Sequence, residues 1–260
     1  MLSIVIPARD EEGSIVETIT EIITKLRGES IAYEVIVVDD GSRDATRDCV
    51  VALGCSDSAI RLVDNQGPHG FGMAVRAGLP HCAGDAVVIM MGDGSDSPTD
   101  LVTYYRKFEE GHCCVFGSRF MRGGRVVNYP VHKRIINRFA NWFVKIIFGL
   151  RYNDITNAFK CYSREAIEHM QPLIAPHFNL TVEMPLKAIV RGFSYTVVPI
   201  TWTNRKAGVS KLKIKEMGSR YLFIVLYLWL EKMLSRGDYV RPAPREIPER
   251  ETAAKVADHV

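Results

Sequence analysis

At 260 residues, 47% hydrophobic and 24% charged, the chain can bury the core of one large α/β domain and is too apolar for a disordered class. A formal net charge of +3 is too mild for nucleic-acid binding over the whole surface, so no nucleic-acid partner is expected. The six cysteines (Cys49, Cys55, Cys82, Cys113, Cys114 and Cys161) show no CxxC pair and no metal-ligand spacing, which points to free thiols and a cytoplasmic setting.

The opening MLSIVIPARDEE turns acidic after its apolar residues, lacks the basic leader and long apolar core of a signal peptide, and predicts a first strand. LSIVIP, YEVIVV, IRLVDN and DAVVIMM read as strands, followed by amphipathic segments over 11–26, 44–53, 71–81 and 99–110. This alternation predicts a βα repeat with a parallel sheet and its strand-to-helix loops on one edge. Asp10 with Glu12, Ser42 with Asp44, and Ser97 with Pro98 are placed to cap the helices.

After HCCVFGSRF comes a turn at Gly123 and Gly124, then a basic amphipathic segment over 130–150. NDITNAFKCY, helices over 164–170 and 180–191, the strand FSYTVVPI and the basic loop TNRKAGVSKLK follow. Residues 214–234 form an apolar helix candidate, but the ten residues YLFIVLYLWL rise only about 15 Å against a bilayer core of roughly 30 Å and should not span it. Residues 237–260 are Pro-rich and charged and are expected to be a disordered tail.

MMGDGSDSP sets Asp93 and Asp96, with the Ser95 hydroxyl between them, just past a strand end, where open α/β sheets bind ligands. These hard oxygens suit Mg²⁺ or Mn²⁺ held against a diphosphate; the alternative is a turn whose aspartates cap the helix near Thr99. VVDDGSRDAT offers Asp39 and Asp40 to a base or ribose, or as another cap. NQGPHGFGMAVRAG permits close backbone approach but matches neither a P-loop nor a dinucleotide fingerprint.

PARDEE, VVDDGSRDAT, NQGPHGFGMAVRAG, the Asp93 turn and GSRF occur in that order, one after each early strand. In that order the chain resembles the glycosyltransferase family 2 proteins of GT-A fold over roughly 2–236, particularly the dolichol-phosphate or polyprenyl-phosphate mannosyltransferases and glucosyltransferases. The resemblance implies one α/β domain over 1–236, a Rossmann-like mostly parallel sheet flanked by helices. Its nucleotide-sugar half would be 1–120, and its acceptor half, 121–236, would carry C-terminal acceptor-side helices. Pro7, Arg9, Glu11 and Asp39 correspond to the base and ribose pocket, with Arg9 and Asp10 replacing the usual Tyr and Asn. Asp93 stands at the second position of the family's Asp-x-Asp segment and Met91 at the first, which leaves Asp93, Ser95, Asp96 and water for the metal.

The resemblance further assigns Arg119, Lys133, Arg134 and Asn137 to the acceptor phosphate. Arg205, Ser210 and Lys211 fall in a loop over the donor, with Ser210 also counted toward that phosphate. Asp154 falls in a family motif with a role that can be purely structural, and Glu183 is the candidate base should the acceptor be a hydroxyl. A phosphate monoester, with its second pKa about 6, needs cations more than a base. The segments 138–150 and 221–234 place Trp142 and Trp229 among Phe, Leu, Lys and Arg, as interfacial helices do, and 203–220 carries six positives against one Glu, which suits an anionic membrane surface.

The function so implied is an inverting glycosyltransferase, peripheral at the inner face of the membrane. It would move mannose or glucose from a nucleotide diphosphate sugar (GDP-mannose or UDP-glucose) to a polyprenyl or dolichyl phosphate, with room for a membrane-protein partner. Two alternatives stand beside it: transfer to a hydroxyl of a saccharide or lipid-linked intermediate with Glu183 as base, and, from the loss of a carboxylate at Met91, a catalytically silent nucleotide-sugar binder.

Overall fold

The computed structural model describes residues 1–204 and 214–241, with the side chains of 214–217 excepted. Arg205, Ser210 and Lys211, and the expected tail beyond residue 241, lie outside the described residues. The first four strands are β1 (Leu2–Ala8), β2 (Tyr33–Asp39), β3 (Ile60–Asp64) and β4 (Ala86–Ile89), and they alternate with helices α1 (Ile15–Gly28), α2 (Thr46–Ser56), α3 (Phe71–Gly78) and α4 (Pro98–Glu109). Every residue of β1 and all but the first of β2 are buried, which is why these runs are continuously apolar: helices cover both faces of a parallel sheet.

β5 (Cys114–Ser118) is followed by β6 (Arg125–Val127) and α5 (Val131–Phe148) before β7 (Lys160–Ser163). Then come α6 (Arg164–His169), α7 (Leu180–Val190), β8 (Tyr195–Pro199), β9 (Thr201–Thr203) and α8 (Ile214–Leu234). The main sheet has the order β3-β2-β1-β4-β7-β5-β8, and β6 pairs with β9 in a small second sheet. The expected parallel sheet is interrupted by β7, which runs antiparallel to both β4 and β5. Lys160 opposes Ile89 and Phe116, so the chain re-enters the sheet at the edge where β4 and β5 end. That re-entry brings the loop 153–159 to the same edge as the strand-to-helix loops, where ligands of open α/β sheets bind.

Alternate residues feed two cores. Val5, Ile36 and Val38 pack with α3, α5, α7 and α8 on one face, whereas Ile4, Ile6, Val35 and Val37 pack with α1, α2 and α4 on the other. Ser97 caps α4 as expected, accepting from the Thr99 amide at 3.2 Å. Asp10, Glu12 and Ser42 do not cap. Asp10 accepts from Arg43 N at 2.8 Å, Glu12 from Ala45 N at 2.9 Å, and Ser42 Oγ from Asp10 N at 3.1 Å. They lace the first two loops to each other, because both leave adjacent strands at the same edge. No described helix is long and apolar enough to cross a membrane.

Gly117, next to last in β5, stands at a point with no room for a side chain. A Cβ there would meet the Tyr104 hydroxyl at 2.0 Å and Ile200 at 2.8 Å, and Tyr104 is fully buried with its hydroxyl bonded to Phe159 O. Gly117→Ala is expected to destabilise the protein by about 1–3 kcal/mol through overpacking. Chemical denaturation should show a lowered midpoint at unchanged slope.

Candidate active site

The end of β1 lies beside the end of β2, with Pro7 opposite Val38 and Ala8 opposite Asp39. Pro7, Arg9, Glu11 and Asp39 are therefore gathered at one corner of the sheet edge. Asp39 Oδ1 accepts from the Ser42 amide at 3.1 Å, and the Glu11 amide donates to Thr46 Oγ1 at 2.8 Å. Asp40, buried beside them, accepts from Asn65 Nδ2 at 2.7 Å and from the Gly70 amide at 2.9 Å, and Arg9 approaches it at 3.9 Å. Asp40 thus holds the glycine-bearing loop 65–70 against the corner.

The acidic turn follows β4, one strand away. Gly92 O accepts from Ser14 Oγ at 3.0 Å and Thr18 Oγ1 at 3.3 Å, which docks the turn on the start of α1. Gly94 adopts φ +70°, a conformation that a side chain would strain. Asp93 Oδ1 accepts from the Ser95 amide at 3.1 Å, and Asp96 Oδ2 accepts from the Met91 amide at 3.0 Å. Neither aspartate caps α4, since Ser97 does so. Burial pushes the Asp96 carboxyl up to about 7, against the Met91 amide bond that lowers it, and the charge of Asp93 adds to the rise.

Among the described residues no three His, Cys, Asp or Glu side chains converge into a metal cage. Two carboxylates and a hydroxyl suit a small hard cation that takes its remaining oxygens from a diphosphate and from water, which is how Mg²⁺ is usually held. The donor set therefore fits a cation that arrives with its substrate.

Arg119 extends from the end of β5 and is buried. Its backbone amide, Nε and Nη2 donate to the carboxylate of Asp154 at 2.9, 2.8 and 2.7 Å. The rings of Phe120, Tyr129 and Trp202 surround the guanidinium with centroids 5.3, 5.8 and 5.8 Å away. Lys160, wholly buried below, donates to Ile155 O at 3.0 Å, Thr181 O at 3.2 Å and also Asn157 O. Burial pushes its ammonium down to about 7, and Asp154 opposes that shift. Thr156 Oγ1 accepts from Asn137 Nδ2 at 2.8 Å and Asn141 Nδ2 at 3.0 Å, which ties the same loop to α5.

Between α5, α7 and α8 lies a cavity of about 420 Å³. Its lining includes Asp93, Ser95, Asp96, Arg119, Lys133 and Asn137 together with Ile136, Phe139, Phe143, Val182, Leu222 and Val225. Lys133 and Asn137 thus line the same cavity as the acidic turn. Arg134 does not line the cavity and stands exposed on α5.

Glu183 requires a correction. It is fully buried and outside the cavity lining, with its oxygens accepting the Ile174 and Ala175 amides at 2.8 and 2.7 Å and pairing with Lys187 at 2.7 Å. A carboxylate so occupied cannot reach an acceptor hydroxyl, and the hydroxyl-acceptor alternative loses its base. Tyr129, Trp202 and Lys160 escaped the sequence reading. Trp202 enters the site through a backbone bridge to Asp96, with the Thr203 amide donating to Ser95 O at 3.0 Å.

Removing one partner of a buried ion pair leaves the other charge uncompensated. Asp154→Asn is expected to cost about 3–5 kcal/mol of stability, read by denaturant titration. Changing Arg119 and Asp154 together to apolar residues should cost less than the sum of the two single changes.

A family model described as glycosyl transferase family 2 matches residues 3–170. Polyprenol monophosphomannose synthase of Mycolicibacterium smegmatis is 29% identical over 215 residues, 80% of each chain. Glycosyltransferase AglJ of Haloferax volcanii is 32% identical over 195 residues, 74% of this chain and 61% of AglJ. Among solved structures, glucosyl-3-phosphoglycerate synthase of Mycobacterium tuberculosis, in complex with Mn²⁺, UDP and glucosyl-3-phosphoglycerate, aligns with TM-score 0.64 at 20% identity, covering 89% of this chain and 79% of that one. The same enzyme with Mg²⁺ and UDP gives TM-score 0.63 at 21% identity, covering 89% and 79%. These likenesses establish the GT-A fold. With well over half of its length matched by the family model, the chain belongs to glycosyl transferase family 2 and is a glycosyltransferase.

Proposed function

We propose that the protein transfers a hexose, mannose or glucose, from a nucleotide diphosphate sugar to a polyprenyl phosphate, with inversion, while seated on the inner face of a membrane. The observation that carries this reading is the cavity, whose mostly apolar lining also holds the acidic turn, Arg119 and Lys133. An acceptor with an anionic head on a hydrocarbon chain matches both characters. The mycobacterial relative is named for a product of this kind, a polyprenol monophosphomannose.

The corner formed by Pro7, Arg9, Glu11 and Asp39 takes the base and ribose. Asp93 and Asp96 hold Mg²⁺ or Mn²⁺, which when bound neutralises charge developing on the leaving diphosphate. Arg119, Lys133 and Asn137 orient the acceptor phosphate on the opposite side of the anomeric carbon. A phosphate oxygen forms the new bond to that carbon as its bond to the diphosphate oxygen breaks, and the nucleoside diphosphate leaves with the electron pair. The acceptor is largely dianionic at neutral pH, so no protein base is required, in agreement with the buried position of Glu183.

Membrane seating is supported by the outer faces of α5 and α8. Val131, Ile135, Phe139, Trp142 and Ile146 recur at helical spacing and are 57–72% exposed, and Phe223, Leu226, Leu230 and Met233 form a second exposed stripe. Apolar stripes of this size on water-facing helices are characteristic of interfacial anchors. Phe139 belongs both to this face and to the cavity wall, so a lipid chain can pass from bilayer to site without crossing water.

Label from GDP-mannose or UDP-glucose, supplied with Mn²⁺ and polyprenyl phosphate in detergent, is expected to move into the organic phase. Asp93→Asn should lower the rate about a hundredfold or more, since the lost interaction acts mainly on the transition state. Label that stays aqueous with every donor, or an unaffected Asp93→Asn variant, would overturn the reading. Because Asp96 keeps its proton below about pH 7 and a cation needs the carboxylate, Mn²⁺ affinity should rise with pH up to about 7 and level off above. Calorimetry in buffers of differing ionisation enthalpy should detect proton release at about pH 6 and little at about pH 8.5. Phe139→Glu with Phe223→Glu should abolish flotation with anionic vesicles while leaving the melting temperature unchanged.

A further inference from the structure

The proposed reading places a diphosphate at Asp93 and Asp96 and a phosphate at Arg119 and Lys133. The hexose that passes from one to the other must occupy the space between them. Met91, Tyr129 and Trp202 line the same cavity as both groups, and Trp202 is bridged to Asp96 on one side and stands beside Arg119 on the other. Trp202 is fixed relative to the acidic turn by its backbone bridge to Asp96 and by the adjacent bond from Thr203 N to Ser95 O at 3.0 Å. Its ring lies 5.0 Å from that of Tyr129, with planes inclined by 58°, and the Arg119 guanidinium stands 5.8 Å from each ring. It is only half-buried and keeps part of its surface in the cavity, unlike Trp142 and Trp229, which sit on exposed helix faces.

Neither phosphate group has a use for an indole. A pyranose does, because its C–H-rich face carries slight positive charge and the aromatic face slight negative charge, and both are poorly hydrated. We propose that Trp202 is the platform for the donor hexose: its ring packs against the sugar and distinguishes a sugar-bearing nucleotide from the nucleoside diphosphate alone. The inference rests on the glycosyl-donor reading above and adds to it the residue that recognises the sugar.

The test compares the dissociation constants of GDP and UDP with those of GDP-mannose and UDP-glucose, each with Mn²⁺, on the full chain and on Trp202→Leu and Trp202→Phe. The leucine variant should weaken the sugar nucleotide about five- to tenfold, the size expected of one aromatic contact, and leave the nucleoside diphosphate within about twofold. The phenylalanine variant should recover most of the loss. In the unaltered protein, with diamagnetic Mg²⁺ in place of Mn²⁺, hexose protons of the bound donor should shift upfield by ring current, a readout that stands even if the leucine variant fails to fold. Equal weakening of nucleotide and sugar nucleotide, or absence of the upfield shift, would overturn the platform while leaving the donor reading intact. A chain that binds neither class of ligand would overturn both.

Discussion

The β5 side of the candidate site depends on the buried pair between Arg119 and Asp154. Taking two such charges out of water costs several kcal/mol per ion, and the structure offsets that cost by giving Asp154 three donors from Arg119 and by enclosing the guanidinium in three aromatic rings. The pair joins the end of β5 to the loop that re-enters the sheet as β7. Lys160 then binds that loop to α7 through Thr181 O, and Thr156 binds it to α5 through Asn137 and Asn141. This polar node thus ties two of the cavity's helices to the sheet edge, in addition to the apolar core they share with it.

The charges are sorted across the site. Asp39, Asp40, Asp93 and Asp96 cluster on the side of β1, β2 and β4, whereas Arg119 and Lys133 stand on the side of β5 and α5. A nucleotide diphosphate approaching the acidic side is repelled unless a cation comes with it. Burial raises the pKa of Asp96, and the neighbouring charge of Asp93 adds to the rise. On the proposed reading the acceptor phosphate would approach the other side, which carries Lys133 and the paired Arg119.

Much of this was legible in the sequence where the signal is local. Buried strands covered on both faces must be continuously apolar, so LSIVIP and YEVIVV declared themselves, and the loops carrying Asp39 and Asp93 followed at the correct edge. The antiparallel β7 was not legible, since NDITNAFKCY carries no mark of direction and its placement follows from where the β6–α5 excursion returns the chain. Glu183 looked like a base because a carboxylate near a site invites that role; Lys187 four residues on was the available sign of an intrahelical pair. Trp202 follows an apolar strand and acquires its place only through a bridge to a residue more than a hundred positions earlier.

The apolar faces of α5 and α8 connect these observations to the choice of acceptor. A water-soluble acceptor would leave those faces with no use and would gain nothing from a cavity lined by Phe143, Val182 and Val225. Glucosyl-3-phosphoglycerate synthase shares the fold, and the acceptor half is where a common scaffold can diverge, because nothing in the donor corner constrains what enters between α5, α7 and α8. Here that opening is framed by exposed aromatic and aliphatic side chains continuous with its inner walls. A hydrocarbon chain bound there exchanges one apolar environment for another, so its binding contributes little affinity by itself. On the proposed reading, selectivity for the acceptor would then fall to its phosphate head and to Arg119, which Asp154 holds in place.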